Sequence, residues 1–184
     1  MSAPTPLDLY LPAGEFHFGG GNIRVLTLLG TCVAITVWHP SKRLGGICHY
    51  LLPTRGTQPS AEGISAGHYA DEVMGMFGAA LRASQTRPSE YIVKVAGGGN
   101  MFPAQMMTAE CRSGGCPETR RAQCASVGCK NICAARALLT AAGYVIQSEN
   151  VGGQGSRQLM FDLWSGDVWV KRGAAMSPGA QAAA

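Results

Sequence analysis

The chain has 184 residues, 46% apolar and 14% charged, the proportions of one globular domain with a sizeable core rather than of a disordered chain. Its net charge of +4 is scattered, with no run of Lys and Arg longer than two, so the basic stripe of a nucleic-acid binder is missing. No stretch approaches the ~20 apolar residues that span a bilayer, and Met1 to Pro12 lacks the basic and apolar regions of a secretory signal, so a cytoplasmic protein with reduced cysteines is expected.

In chain order, residues 1–14 read as a flexible N-terminus. Ile23 to Leu29 reads as a strand that ends at Gly30-Thr31 and leads directly into Cys32. Val33 to Trp38 is strongly β-prone, His39-Pro40-Ser41-Lys42 has turn chemistry, and Leu44 to Leu52 reads as a second strand closed by Pro53. Together they predict a β-hairpin with a four-residue loop. Ser65 reads as the N-cap of a helix to about Arg82, with Tyr69, Val73, Met76 or Phe77, and Ala80 or Leu81 at helical spacing. Tyr91 to Ala96 is a further strand, followed by Gly97-Gly98-Gly99-Asn100. Residues 103–128 form a variable loop rich in cysteine, and a second helix covers Lys130 to Ala142 with Gly143 ending it. Strands at Val145–Ser148, Leu159–Trp164 and Val168–Lys171 follow, and residues 173–184 read as a disordered tail. The sum is one α+β domain over residues 15–172, in which a mixed or antiparallel sheet, or a sheet doubled into a sandwich, carries two main helices.

The hairpin brings a thiol toward an imidazole. With Trp38 opposite Arg43, Cys32 falls directly opposite His49, on the same face and roughly 5 Å apart at Cβ. A bulge near Gly45-Gly46 would shift this register. Val33, Ile35, Val37, Leu44, Gly46 and Cys48 share the other face, so Cys48 reads as an inert buried thiol and Cys32 as the reactive one. A neighbouring imidazole lowers a thiol's pKa and accepts its proton. The thiolate then attacks an amide or ester carbonyl, and the imidazole serves as acid and then base through a thioester. Backbone N–H groups around Gly30, Thr31 and Cys32 can supply an oxyanion hole, and Thr27, Thr31 or Thr36 can orient the ring. The bland reading of the same pair is packing, or half of a metal site.

The segment LLGTCVAITVW followed by GGICHYLLP resembles the CheD family of chemoreceptor glutamine deamidases, with its Gly-Ser-Cys-Val signature and its Gly-Gly-x-x-His segment ending in Leu-Pro. GHYADEVM (67–74), KVAGGGNMF (94–102), VGCKN (127–131) and the run from Val151 to Lys171 resemble further family segments in order, over about residues 15–172. The resemblance implies a cysteine hydrolase with Cys32 and His49 as the catalytic pair. Its third catalytic residue is a threonine upstream of the cysteine, here Thr27, with Thr31 the other candidate. It also implies glutamines on the cytoplasmic helices of methyl-accepting chemoreceptors as substrates and a CheC-type phosphatase as a partner; no cofactor is expected. Thr31 stands in place of the family's serine, Cys129-Lys130 in place of its residue and arginine, and Asn150 where an aspartate is common.

Other features have plainer readings. Cys111, Cys116, Cys124, Cys129 and Cys133 include no CxxC pair and no nearby histidine, so no metal site is expected. Gly97-Gly98-Gly99 lacks the spacing of a phosphate loop and reads as a tight turn. His17 and His39 read as surface residues, His68 as exposed, and Met74 and Met76 as core. The rival functions are a non-catalytic module that binds receptors or a CheC-type phosphatase, a transglutaminase-like or esterase hydrolase, and a thiol-rich metal protein.

Overall fold

The computed structural model describes residues 5–57, 63–101 and 126–173. Among the described residues nine strands and two α-helices form a two-sheet sandwich with helices on one outer face, an α+β domain as expected. The strands are β1 (Leu7–Tyr10), β2 (Phe16–Gly20), β3 (Ile23–Leu29), β4 (Val33–His39), β5 (Leu44–Tyr50), β6 (Ile92–Gly97), β7 (Ile146–Val151), β8 (Arg157–Asp162) and β9 (Val168–Arg172). The helices are α1 (Ala70–Ala83) and α2 (Val127–Ala141). One sheet has the order β1-β3-β8-β9 and the other β2-β5-β4-β6-β7. The β1–β3 and β6–β7 pairs are parallel and the rest antiparallel.

Burial on both faces explains why VAITVW is apolar without alternation: β4 is the central strand of its sheet. Val33, Ile35 and Val37 pack with Val73, Phe77, Ile132 and Leu139 of the helices, whereas Ala34 joins Val25, Leu29, Leu159 and Phe161 between the sheets. The alternation in β3 has the same cause, with Val25, Thr27 and Leu29 buried.

Several boundaries differ from those read in the sequence. Residues 7–10, within the stretch expected to be flexible, form β1, and Leu11 behind it is buried. Residues 16–20 add β2 at the edge beside β5. Ser65 does not cap α1: it precedes a 3₁₀ turn (Ala66–His68), its side chain makes no cap bond, and its hydroxyl donates to the Gly14 carbonyl. The α-helix starts only after Tyr69, whose extended backbone bridges Leu52. In contrast α2 begins before Lys130, because the Ser126 hydroxyl accepts from the Cys129 N–H at 3.2 Å and caps an extra turn. Gly143, left-handed at φ 82°, follows its last turn as expected.

The hairpin register also differs. His39 pairs with Leu44 and Trp38 with Gly45, so the loop is Pro40–Arg43. Arg43 sits at φ 48° and therefore serves the turn rather than the ladder. The pairing moves by two residues, and the residue opposite His49 is Ala34, not Cys32. Because the shift is even, the assignment of residues to faces is unchanged. His39, expected at the surface, is buried and packs edge-on against Tyr91 at 5.3 Å between centroids. Among the described residues no helix is long and apolar enough to cross a membrane.

Candidate active site

Thr27 points inward from β3, where it pairs with Leu159, and it is almost fully buried. Its hydroxyl donates to the Leu11 carbonyl at 2.7 Å and lies 2.7 Å from Nδ1 of His49. One hydroxyl has one proton, and here the Leu11 carbonyl takes it. The oxygen is then left to accept, so His49 carries its proton on Nδ1 and presents a bare Nε2. Among the described residues no protein atom bonds that Nε2. Of the three hydroxyls considered for orienting the ring, Thr27 is the one bonded to it, whereas the Thr36 hydroxyl donates to the Lys94 carbonyl at 3.3 Å. Burial pushes the His49 pKa down to about 4, against a weaker opposing effect of the Leu11 carbonyl, so the ring is neutral at physiological pH.

Cys32 occupies the turn between β3 and β4, half-buried against the cluster between the sheets. It is two residues before Ala34, hence on the His49 face of the hairpin but one step along the diagonal. The thiol is not hydrogen-bonded to Nε2. Burial raises its pKa, and its own N–H works the other way. At rest the hairpin face thus carries a protonated thiol and a neutral imidazole with an open lone pair. Cys48 lies on the opposite face, fully buried, its pKa pushed up to about 12.

The Cys32 turn is braced on several sides. The Gly99 N–H donates to the Gly30 carbonyl at 2.8 Å and the Gly98 N–H to the Cys32 carbonyl at 2.7 Å. Gly97, at φ 118°, lies so close beneath the Cys32 carbonyl that a Cβ there would overlap it. The Gly97-Gly98-Gly99 run thus makes a close backbone approach to the Cys32 turn. Behind it, Asn100 and Gly153 to Gly155 exchange backbone bonds at 2.7 and 3.0 Å.

Two residues of this site carried no assigned role in the sequence reading. Asn131, fully buried on α2, donates from Nδ2 to the Thr31 carbonyl at 3.1 Å and the Leu51 carbonyl at 2.8 Å. Arg157, also fully buried, donates from Nε to Asn150 at 2.9 Å and from Nη2 to the Gly152 carbonyl. The available signals were an asparagine on the apolar face of α2 and an arginine in the inward series of β8.

Cys129 and Cys133 are buried on α2, and Cys111, Cys116 and Cys124 lie outside the described residues. Among the described residues no group of three or more His, Cys, Asp and Glu side chains is arranged to hold a metal.

Residues 51–172 match the family described as CheD, chemotactic sensory transduction. The chain is 41% identical over 170 residues to the probable chemoreceptor glutamine deamidase CheD 3 of Dechloromonas aromatica, covering 92% of this chain and 90% of that one. It is 37% identical to the probable chemoreceptor glutamine deamidase CheD of Pseudomonas syringae pv. tomato, covering 90% and 89%. The crystal structure of Bacillus licheniformis hypothetical protein YfiH aligns with a TM-score of 0.42 at 16% identity, over 72% of this chain and 48% of that one. On the family match and these relatives, the chain belongs to the CheD family.

Proposed function

We propose that the protein is a glutamine deamidase acting on chemoreceptors, with Cys32 as nucleophile, His49 as acid and base, and Thr27 as the residue that orients His49. The observation that carries this reading is the bare Nε2 of an imidazole tied at Nδ1 to Thr27, on the hairpin face that also presents Cys32. The printed names of the relatives support glutamine side chains of chemoreceptors as the substrate. A CheC-type phosphatase partner rests on the family resemblance alone.

When the substrate amide binds, the thiol closes into reach of His49 and gives its proton to Nε2. Sγ bonds to the side-chain carbonyl carbon, and the C=O electrons move onto oxygen. The Thr31 and Cys32 N–H groups, which have no carbonyl acceptor among the described residues, are donors for that oxyanion. His49 returns its proton to the departing nitrogen and ammonia leaves a thioester. Water then attacks with Nε2 as base, the C–S bond breaks, and the products are glutamate and the regenerated thiol. The neutral resting imidazole suits this order, because it must take a proton first.

The test is mass spectrometry of a chemoreceptor cytoplasmic fragment incubated with wild type, Cys32→Ala or His49→Ala. Wild type alone should convert specific glutamines to glutamates. Conversion that persists in Cys32→Ala overturns the nucleophile, and no conversion by folded wild type leaves a non-catalytic receptor-binding role.

A further inference from the structure

Three consecutive carbonyls in the Cys32 turn are each held by a donor. Gly30 accepts from the Gly99 N–H at 2.8 Å, Thr31 from Asn131 Nδ2 at 3.1 Å, and Cys32 from the Gly98 N–H at 2.7 Å. Two of these donors are main chain, and the middle one is a side chain. Asn131 is fully buried, and its second Nδ2 proton goes to the Leu51 carbonyl at 2.8 Å. Thr31 and Leu51 both lie just beyond Val33 and Tyr50, the last paired residues of the β4–β5 ladder. The amide therefore closes the hairpin where its own hydrogen bonds stop, two residues past His49. The Tyr50 hydroxyl, donating to the Asn131 carbonyl at 2.7 Å, ties the helix to the same strand.

A peptide is planar and trans, so its C=O and N–H point in opposite directions. Holding the Thr31 carbonyl thus sets the direction of the Cys32 N–H. A carbonyl carbon bonded to Sγ places its oxyanion beside the nucleophile's own N–H, where a donor fixed beforehand needs no reorganisation. We infer that Asn131 is a positioning residue of this active site, which locks the Thr31–Cys32 peptide so that the Cys32 N–H is preset as an oxyanion donor. This rests on Cys32 being the nucleophile.

The test separates oxyanion chemistry from simple integrity of the site. Asn131→Leu keeps the bulk and removes both donors. Deamidation of a receptor fragment passes through an oxyanion, whereas alkylation of Cys32 by iodoacetamide is a displacement at a saturated carbon and does not. The kcat of Asn131→Leu should fall about 10- to 100-fold, less than the ~100- to 1,000-fold of deleting an oxyanion donor outright. KM and the alkylation rate of the Cys32 peptide should stay within about threefold of wild type. Unchanged kcat, or kcat and alkylation falling together, overturns the proposal. Should Asn131→Leu fail to fold, Asn131→Asp serves: facing two carbonyls, its buried carboxyl is protonated at acid pH and then donates. Its kcat relative to wild type should rise from pH 8 to pH 5, and a flat ratio overturns the proposal. Cys32→Ala run in parallel keeps the readings apart. Activity in that variant removes the nucleophile and this inference with it, whereas an inactive Cys32→Ala beside an unaffected Asn131 variant removes the inference alone.

Discussion

Thr27 and His49 belong to different sheets, and the 2.7 Å contact between Oγ1 and Nδ1 is a polar link across the interior of the sandwich. Replacing Thr27 with Val keeps the shape and leaves the buried Nδ1–H without an acceptor. An unpaired buried donor costs about 1–3 kcal/mol, or roughly five- to 150-fold if it falls on the reacting tautomer. Thr27→Val is therefore expected to lose about that much in kcat with KM unchanged, and Thr27→Ser to retain most activity. Steady-state ammonia release measures both.

The pH profile follows from burial of the same ring. The His49 pKa lies near 4 instead of 6.5, so the acid limb of kcat/KM is expected near pH 4 and not in the usual histidine range. Stability moves in the matching sense. Between pH 6.5 and about 4 the unfolded chain binds a proton that the folded chain refuses, so this contribution to stability falls as pH drops through that window and is constant below it. NMR titration of the His49 ring checks the value, and an unperturbed titration would contradict the buried geometry.

Thiol reactivity should divide along the two faces of the hairpin. With the Cys48 pKa near 12 and full burial, native protein treated with iodoacetamide at pH 8 should label Cys32 and leave Cys48 unmodified. Peptide mapping reads both sites, and Cys48→Ala should keep wild-type kcat.

Gly97 supplies a test of the turn itself. Its φ of 118° and its approach to the Cys32 carbonyl leave no room for a methyl group. Gly97→Ala should cost about 1–3 kcal/mol from backbone conformation alone. It should also displace the Cys32 carbonyl, lowering kcat beyond what the remaining folded fraction accounts for, as seen by comparing melting curves with activity.

The segments carrying the proposed catalytic pair were the legible ones because both signals are local. VAITVW and GGICHY are apolar and β-prone whichever sheet they join, and strand parity assigns Cys32 and His49 to one face. Their offset was not legible, since it depends on Arg43 adopting a left-handed backbone that its residue type does not advertise. Likewise LDLY has no strong strand pattern, and β1 exists because β3 offers it a parallel edge. Among the hydroxyl candidates the family resemblance favoured Thr27, and its bond to His49 forms where the two sheets stack. Asn131 and Arg157 look like ordinary polar residues until the carbonyls they hold are in place.

The Leu11 carbonyl is the last acceptor in the chain that starts at the imidazole. Leu11 follows a four-residue edge strand held on one side only. Such strands fray before the rest of a sheet. Once that edge loosens, the Thr27 proton is free to turn back toward His49, and Nε2 is no longer guaranteed to be the bare nitrogen. Warming should therefore silence the proposed deamidation at temperatures where the core is still folded, so that residues 7–11, far from any signature motif, would set its thermal ceiling.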